Sequence, residues 1–254
     1  MTFSWQKMTG ENYAAFVQLT GGKVIRTGDM YWRQVRAGFY RPLLQFEEYH
    51  PDSIKAPRPA LWGGVQYAVA PEARANSFLN RLAFANTQGY GLDSLQRNWK
   101  RKVRLAGKEL VIRPIADVNE FKQKAFPVYL SFYERTRYQV GAQRRDPAHF
   151  SRWADALFSL PHVLILGGYR DAGLGGVSLS FVVGHTLIYA TFFCNDESLG
   201  SYLPDRCCTP CANQPRPIRR SRKYSPACTK AAVGWMISTC IAVPDLSGSA
   251  PGCR

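Results

Sequence analysis

The densest set of residues able to do chemistry in this chain is cationic: Arg97, Lys100, Arg101, Lys102, Arg104 and Lys108 fall within twelve positions. At helical spacing Leu95, Trp99 and Val103 share one face of that segment, and the basic groups occupy the rest. Two readings compete, a solvated helix face and an electrostatic seat for phosphate or a phosphorylated substrate. Other chemistry is thin. His149, His162 and His185 are scattered over a helix start, a strand start and a turn, and no Ser/His/Asp set, P-loop or GxGxxG motif is present. Cys208-x-x-Cys211 could supply one zinc ligand pair, but Cys228, Cys240 and Cys253 form no second pair and no histidine accompanies them. No metal site is therefore expected.

The composition divides the chain. All seven cysteines lie at or after Cys194, six of them at or after Cys207, and residues 206–254 supply seven of the fifteen net positive charges. The first 193 residues have the hydrophobic and aromatic content of a folded body. MTFSWQKMTGENYAAF has no basic-then-apolar signal, and no run approaches 18 apolar residues, so a cytoplasmic, reducing location is expected, without a transmembrane segment or a disulfide framework.

The elements that would position the basic cluster can be read from periodicity. An aromatic-rich stretch from Met30 to Tyr49 predicts a strand and turn, and Trp62 to Ala70 a further strand. KELVIRPI reads as a strand. Asp117 with Glu120 three residues on predicts a capping box opening a helix striped by Phe121, Ala125, Val128 and Phe132, with Pro127 as a possible kink. Asp146-Pro147 opens a second helix, with Phe150, Trp153, Ala154 and Leu157 on one face. Strands at 162–169, 175–183 and 186–194 follow, joined by short turns at Asp171-Ala172-Gly173 and Gly184-His185, as in an antiparallel meander.

The resulting β-α-α-β-β-β order, opened by V-I-R-P-I and an acidic helix cap, resembles the first half of the GCN5-related N-acetyltransferase (GNAT) fold. With the basic Q-R-N-W-K-R-K-V-R segment ahead of it, the chain is similar more specifically to the FemAB-like and BioF2-like acyltransferase branch. The resemblance covers about 90–205 well and 60–90 loosely. It implies an α+β class, a GNAT-like mixed sheet with flanking helices, incomplete at its C-terminus. The corresponding organisation is an N-terminal accessory or degenerate acyltransferase-like segment over 1–90, the acyltransferase core over 91–205, and a tail over 206–254.

The resemblance also implies an activity, transfer of an acyl or aminoacyl group from a carrier to an amine. The acceptor side would be formed by Tyr133, Glu134, Arg137 and Tyr138, with Glu134 as base and Arg137 as anion clamp. Tyr189 would be the general acid on the fourth strand. Strict alternation puts Tyr189 and Thr191 on one face of that strand and Ile188 and Ala190 on the other. Arg97, Lys100, Arg101 and Arg104 would hold the anionic carrier. The family's R/Q-x-x-G-x-G/A loop is absent from NDESLGSYLPDRCCTP, which leaves acyl-CoA (acetyl-CoA) and aminoacyl-tRNA as alternative donors. The acceptor would be a small-molecule amine or one on a cell-wall or polysaccharide precursor, and no stable nucleic-acid complex is expected.

For the tail three readings stand: the zinc module, a basic disordered arm on a nucleic-acid-binding protein, and translation out of frame. The genetic code bears on the last. Taking the third base of each codon with the first two of the next, Cys207-Cys208 can encode only Leu, and Trp235-Met236 and Met236-Ile237 only Asp. One base lost after Asp205 accounts together for the cysteines, the composition break and the missing periodicity. The pyrophosphate-binding helix and fifth strand would then be displaced into the tail, leaving the chain truncated in effect and inactive as encoded.

Overall fold

The computed structural model describes residues 6–70, 72–76, 92–138, 141–171, 173–201 and 203. The tail from 206 onward, with its frameshift, zinc and disordered-arm readings, lies outside these residues. In chain order the elements are β1 (Lys7–Met8), α1 (Gly10–Leu19), β2 (Val24–Thr27), β3 (Met30–Arg36), β4 (Phe39–Pro42) and β5 (Gly64–Val65). They are followed by α2 (Arg97–Glu109), β6 (Leu110–Pro114), α3 (Val118–Thr136), α4 (Pro147–Phe158), β7 (Val163–Arg170), β8 (Gly173–Val183), β9 (Thr186–Cys194) and α5 (Asp196–Gly200). The fold is α+β with mixed sheets. The described residues fall into two compact units, one of 13–76 and one that joins 6–12 to 92–203.

The smaller unit is built on the sheet β2-β3-β4-β5. One face carries its core, Trp32, Tyr40, Val65 and Tyr67 with Ala60 beneath. The strand expected over 62–70 is shorter than its pattern implies. Arg58–Trp62 forms a 3-10 turn instead, and only Gly64–Val65 pairs with β4. Gly63 turns the chain there, because a Cβ on it would lie 2.7 Å from the carbonyl of Gly38.

The larger unit holds the expected β-α-α-β-β-β order as β6, α3, α4, β7, β8 and β9. Strands β6, β7, β8 and β9 pair antiparallel in sequence. β1 adds in parallel at Val182 and Val183, on the edge of β8 that β7 has left, since β9 occupies the other edge there. Asp171 and Gly184, both at positive φ, make the tight turns.

Directly paired residues share a sheet face. One face carries Val177, Leu179, Phe181 and Phe193 under α3 and α4, where Phe121, Tyr129, Phe150 and Trp153 interlock as an aromatic cluster. The other carries Phe192 and Cys194, covered by Ala106 of α2 and by Leu203. Gly168 and Gly176 lie beneath Leu203, which fills the space their side chains would take.

The local helix signals act largely as expected. Asp146 accepts the His149 N–H at 2.9 Å ahead of Pro147, and Phe150, Trp153, Ala154 and Leu157 are buried. Pro127 sits inside an unbroken α3. The capping box does not form. Asp117 caps α3 through the Asn119 N–H, but Glu120 turns away to the sheet.

Candidate functional site

Glu120 is the most heavily committed carboxylate of the larger unit. Arg113 of β6 donates to it at 2.7 Å, the Tyr169 hydroxyl of β7 at 3.0 Å, and Lys124 one turn along α3 at 3.3 Å. The Arg113 hydrogen bond, aided by Tyr169 and Lys124, lowers the Glu120 carboxyl to about 2. Burial and the same carboxylate push the Tyr169 phenol up to about 12. Arg113 also lies 4.0 Å above the Tyr169 ring. This cluster clamps the start of α3 to two strands. Sequence reading missed it, although Arg113 in V-I-R-P-I and Glu120 were both noted.

At the other end of α3, Tyr133 and Glu134 lie in the last turn. Arg137 ends the helix in the left-handed conformation, φ 50°, its N–H donating to the Tyr133 carbonyl at 2.7 Å. Tyr133 lies under the Arg145 guanidinium, 4.6 Å from the ring centre. Glu134 is exposed and makes no hydrogen bond or ion pair among the described residues. Arg137 and Tyr138 are exposed beside it. The anchor for this end is a residue the sequence reading passed over. Arg135 pairs with Asp196 of α5 and donates to the Cys194 carbonyl at 3.1 Å.

β9 departs from strict alternation in the middle. Thr191 opposes Leu179, Tyr189 opposes Ser180, and Ala190 between them opposes no residue of β8. Such a bulge adds one residue to one strand and re-aims its neighbours. Tyr189 and Thr191 are therefore split between the two faces, contrary to expectation. Thr191 shares the α3 face with Phe193, whereas Tyr189 lies with Phe192 on the opposite face, the two rings stacked 6.5 Å apart. Its hydroxyl is buried. Glu134 and Tyr189, expected to act as base and acid, thus stand on opposite sides of the sheet. The alternation rule could not show this, because the extra residue is visible only against the partner strand. The edge of β9 away from β8 has no partner strand among the described residues.

A short helix, α5, follows β9, and the pyrophosphate-binding helix expected after residue 205 lies outside the described residues. Asn195 caps α5 by accepting the Ser198 N–H at 2.9 Å, and Asp196 and Glu197 fill its first turn. Asp196 is held by Arg135, and Glu197 by Arg170, which also pairs with Glu109. A helix start favours anions through free N–H groups and the positive dipole end. Here a side chain occupies an N–H and two carboxylates already answer the dipole. The pyrophosphate of an acyl-CoA donor does not fit this start.

α2 presents the cations. Of the expected set, Lys100 pairs with Asp93, whose carboxyl it lowers. Arg97, Arg101 and Arg104 remain exposed, and Lys108 joins them. At 100° per residue these four fall within an arc of about 60°, a single stripe about 16 Å long. None makes an ion pair with a carboxylate among the described residues, and Arg104 lies within electrostatic reach of Asp93. A surface depression runs along the stripe. On the opposite side Val103 and Ala106 are buried.

No described helix is long and apolar enough to cross a membrane. No family model matches the chain, and no curated protein matches it. Among the solved structures similar in backbone are these three. One is the C-terminal DUF2156 domain of a protein assigned as a lysylphosphatidylglycerol synthetase from Agrobacterium fabrum, 10% identical, with a TM-score of 0.46, covering 76% of this chain and 67% of that one. FemX is 11% identical, with a TM-score of 0.45 and coverage of 83% and 85%. A conserved protein of unknown function from Bacteroides thetaiotaomicron VPI-5482 is 11% identical, with a TM-score of 0.44 and coverage of 79% and 76%. At these scores the likeness carries no inference about chemistry.

Proposed function

We propose that the chain is a GNAT-like N-acyltransferase of the FemAB-like kind, moving an acyl or aminoacyl group from an ester-bearing RNA carrier to an amine. The acceptor nitrogen attacks the ester carbon, the new C–N bond replaces the C–O bond to the carrier, and the proton leaving nitrogen ends on the released hydroxyl. Such chemistry asks for little covalent help. It needs the two reactants aligned and the developing oxyanion met by a fixed donor.

The observation that carries the reading is the bulge at Ala190, on an outer strand of a β-α-α-β-β-β sheet, where the backbone of 189–191 leaves the regular ladder and an N–H can face the carbonyl. Thr191 adjoins the bulge on the sheet face that α3, ending in Glu134 and Arg137, covers. Tyr133, Glu134, Arg137 and Tyr138 form the acceptor side, with Glu134 as base. With Tyr189 on the opposite face, the leaving oxygen takes its proton from solvent rather than from this phenol. The cationic stripe supports an RNA-borne donor over acyl-CoA, because four aligned cations suit successive phosphates of a strand. The acceptor class is an amine on a small molecule or a cell-wall precursor.

Deleting Ala190 tests the reading without disturbing the faces. Thr191 would follow Tyr189 directly, and every paired residue would keep its present partner. The full chain is incubated with tRNA charged with labelled amino acids and with a lysine-containing cell-wall peptide. The expected result is label on the peptide amine, which would overturn the expectation that the chain is inactive as encoded, with the label lost on deleting Ala190 and weakened about tenfold or more when Arg97, Arg101, Arg104 and Lys108 are all changed to Gln. Binding of tRNA with no transfer to any amine would instead support a nucleic-acid-binding protein and overturn the proposal.

A further inference from the structure

The smaller unit holds a second concentration of arginine, on the face of its sheet opposite the core. Pairing places Arg33 of β3 directly against Arg41 of β4. Tyr40 pairs with Val65, and the Gln66 N–H donates to the Tyr40 carbonyl at 3.0 Å, so the row continues from Arg41 to Gln66. Val65 and Tyr67 on either side belong to the core, which turns Gln66 to the arginine face. Two further arginines flank the row, each laid on a ring: Arg26 over Tyr31 at 5.5 Å and Arg36 over Phe39 at 5.1 Å.

In the central row, Arg33 stands within electrostatic reach of the Tyr13 hydroxyl. Like charges directly opposed across a ladder, with Cβ atoms about 5 Å apart, destabilise a sheet. Yet neither Arg33 nor Arg41 has a carboxylate partner among the described residues. The row passes from exposed Arg33 through half-buried Arg41 to Gln66, which is 1% exposed. Arg41 Nε and both amide atoms of Gln66 are buried without hydrogen-bond partners among the described residues. A buried amide left unsatisfied on both ends is rare and costly. Burial, and then the charge of Arg33, lower the Arg41 guanidinium.

We infer that Arg33, Arg41 and Gln66 form a binding site for a carboxylate that carries a neighbouring N–H, as in an N-acylated amino acid or the C-terminal end of a peptide. Two guanidinium groups and Gln66 Nε2 donate to the carboxylate oxygens. Gln66 Oε1 needs a donor in turn, which a bare oxyanion lacks and an adjacent amide N–H supplies. The site lies within the smaller unit and stands apart from the transfer chemistry proposed above.

Calorimetric titration of the full chain with N-acetylglycine, N-acetylglycinamide and inorganic phosphate tests the assignment. The expected result is one site for N-acetylglycine, at least about tenfold weaker binding of the amide, and a loss of about tenfold or more in Arg33→Gln and Arg41→Gln. Arg33 is exposed, so R33Q keeps its fold, which circular dichroism checks. Arg33→Glu places a carboxylate opposite Arg41 and is expected to raise Tm while abolishing binding. No heat with N-acetylglycine, unchanged affinity in R33Q, binding retained in R33E, or phosphate bound more tightly than N-acetylglycine would each overturn the proposal.

Discussion

Replacing Glu120 by Gln keeps the shape of the clamp at the start of α3 and removes its charge. The carboxyl stands at about 2 in the folded chain against an ordinary 4.5. At about 1.4 kcal/mol per pKa unit, that displacement is a ceiling of roughly 3.4 kcal/mol. Arg113, the main partner, is 42% exposed, and solvent screens the pair, so about 1–2 kcal/mol is expected at pH 7. The sign follows from a depressed folded value. The stabilisation is complete above about pH 4.5 and is lost as pH falls from there towards 2. Urea unfolding of both proteins, followed by tryptophan fluorescence at steps from pH 7 to pH 2.5, measures the difference. It is expected to hold steady down to about pH 5 and then shrink. A difference that persists at pH 2.5, or that is absent at pH 7, would show that the clamp does not stabilise the fold through its charge.

Other outcomes are fixed by packing. Leu203→Ala removes a fully buried side chain resting on Gly168 and Gly176, and about 2–5 kcal/mol should be lost in the same urea assay. A loss under 0.5 kcal/mol would mean that Leu203 is not part of this core. Gly63→Ala sets a Cβ against the Gly38 backbone and should cost about 1–3 kcal/mol, with no relief from changing neighbouring side chains. Cys194 is buried and its thiol is pushed up by burial, so iodoacetamide mapped by mass spectrometry should leave it unmodified until denaturant is added. Labelling of Cys194 at the rate of a free thiol would contradict this placement.

Much of the larger unit was legible because the signals are local. Thr186–Cys194 is a strand over the span its residues indicate, bounded by a Gly-His turn and by Asn195. Asp146-Pro147 starts α4 because an Asx cap and a proline at the first turn need nothing beyond their own backbone. The basic face of α2 was also plain, since 3.6-residue periodicity places side chains before any tertiary contact forms.

What remained hidden was decided across strands. Glu120 reads as a capping residue, but Arg113 and Tyr169 arrive from two strands and offer charge-assisted bonds that outweigh a cap. Lys100 reads as one of the free cations until Asp93 folds back onto it. Tyr189 and Thr191 share a face in any regular strand, and only pairing with β8 shows Ala190 to be the extra residue that separates them. Arg33 and Arg41 are eight positions apart and carry no sign of one another, because their opposition depends on the register of the β3–β4 hairpin. Local sequence thus determined which segments are helix and strand. Register, a property of two segments together, decided which side chains meet.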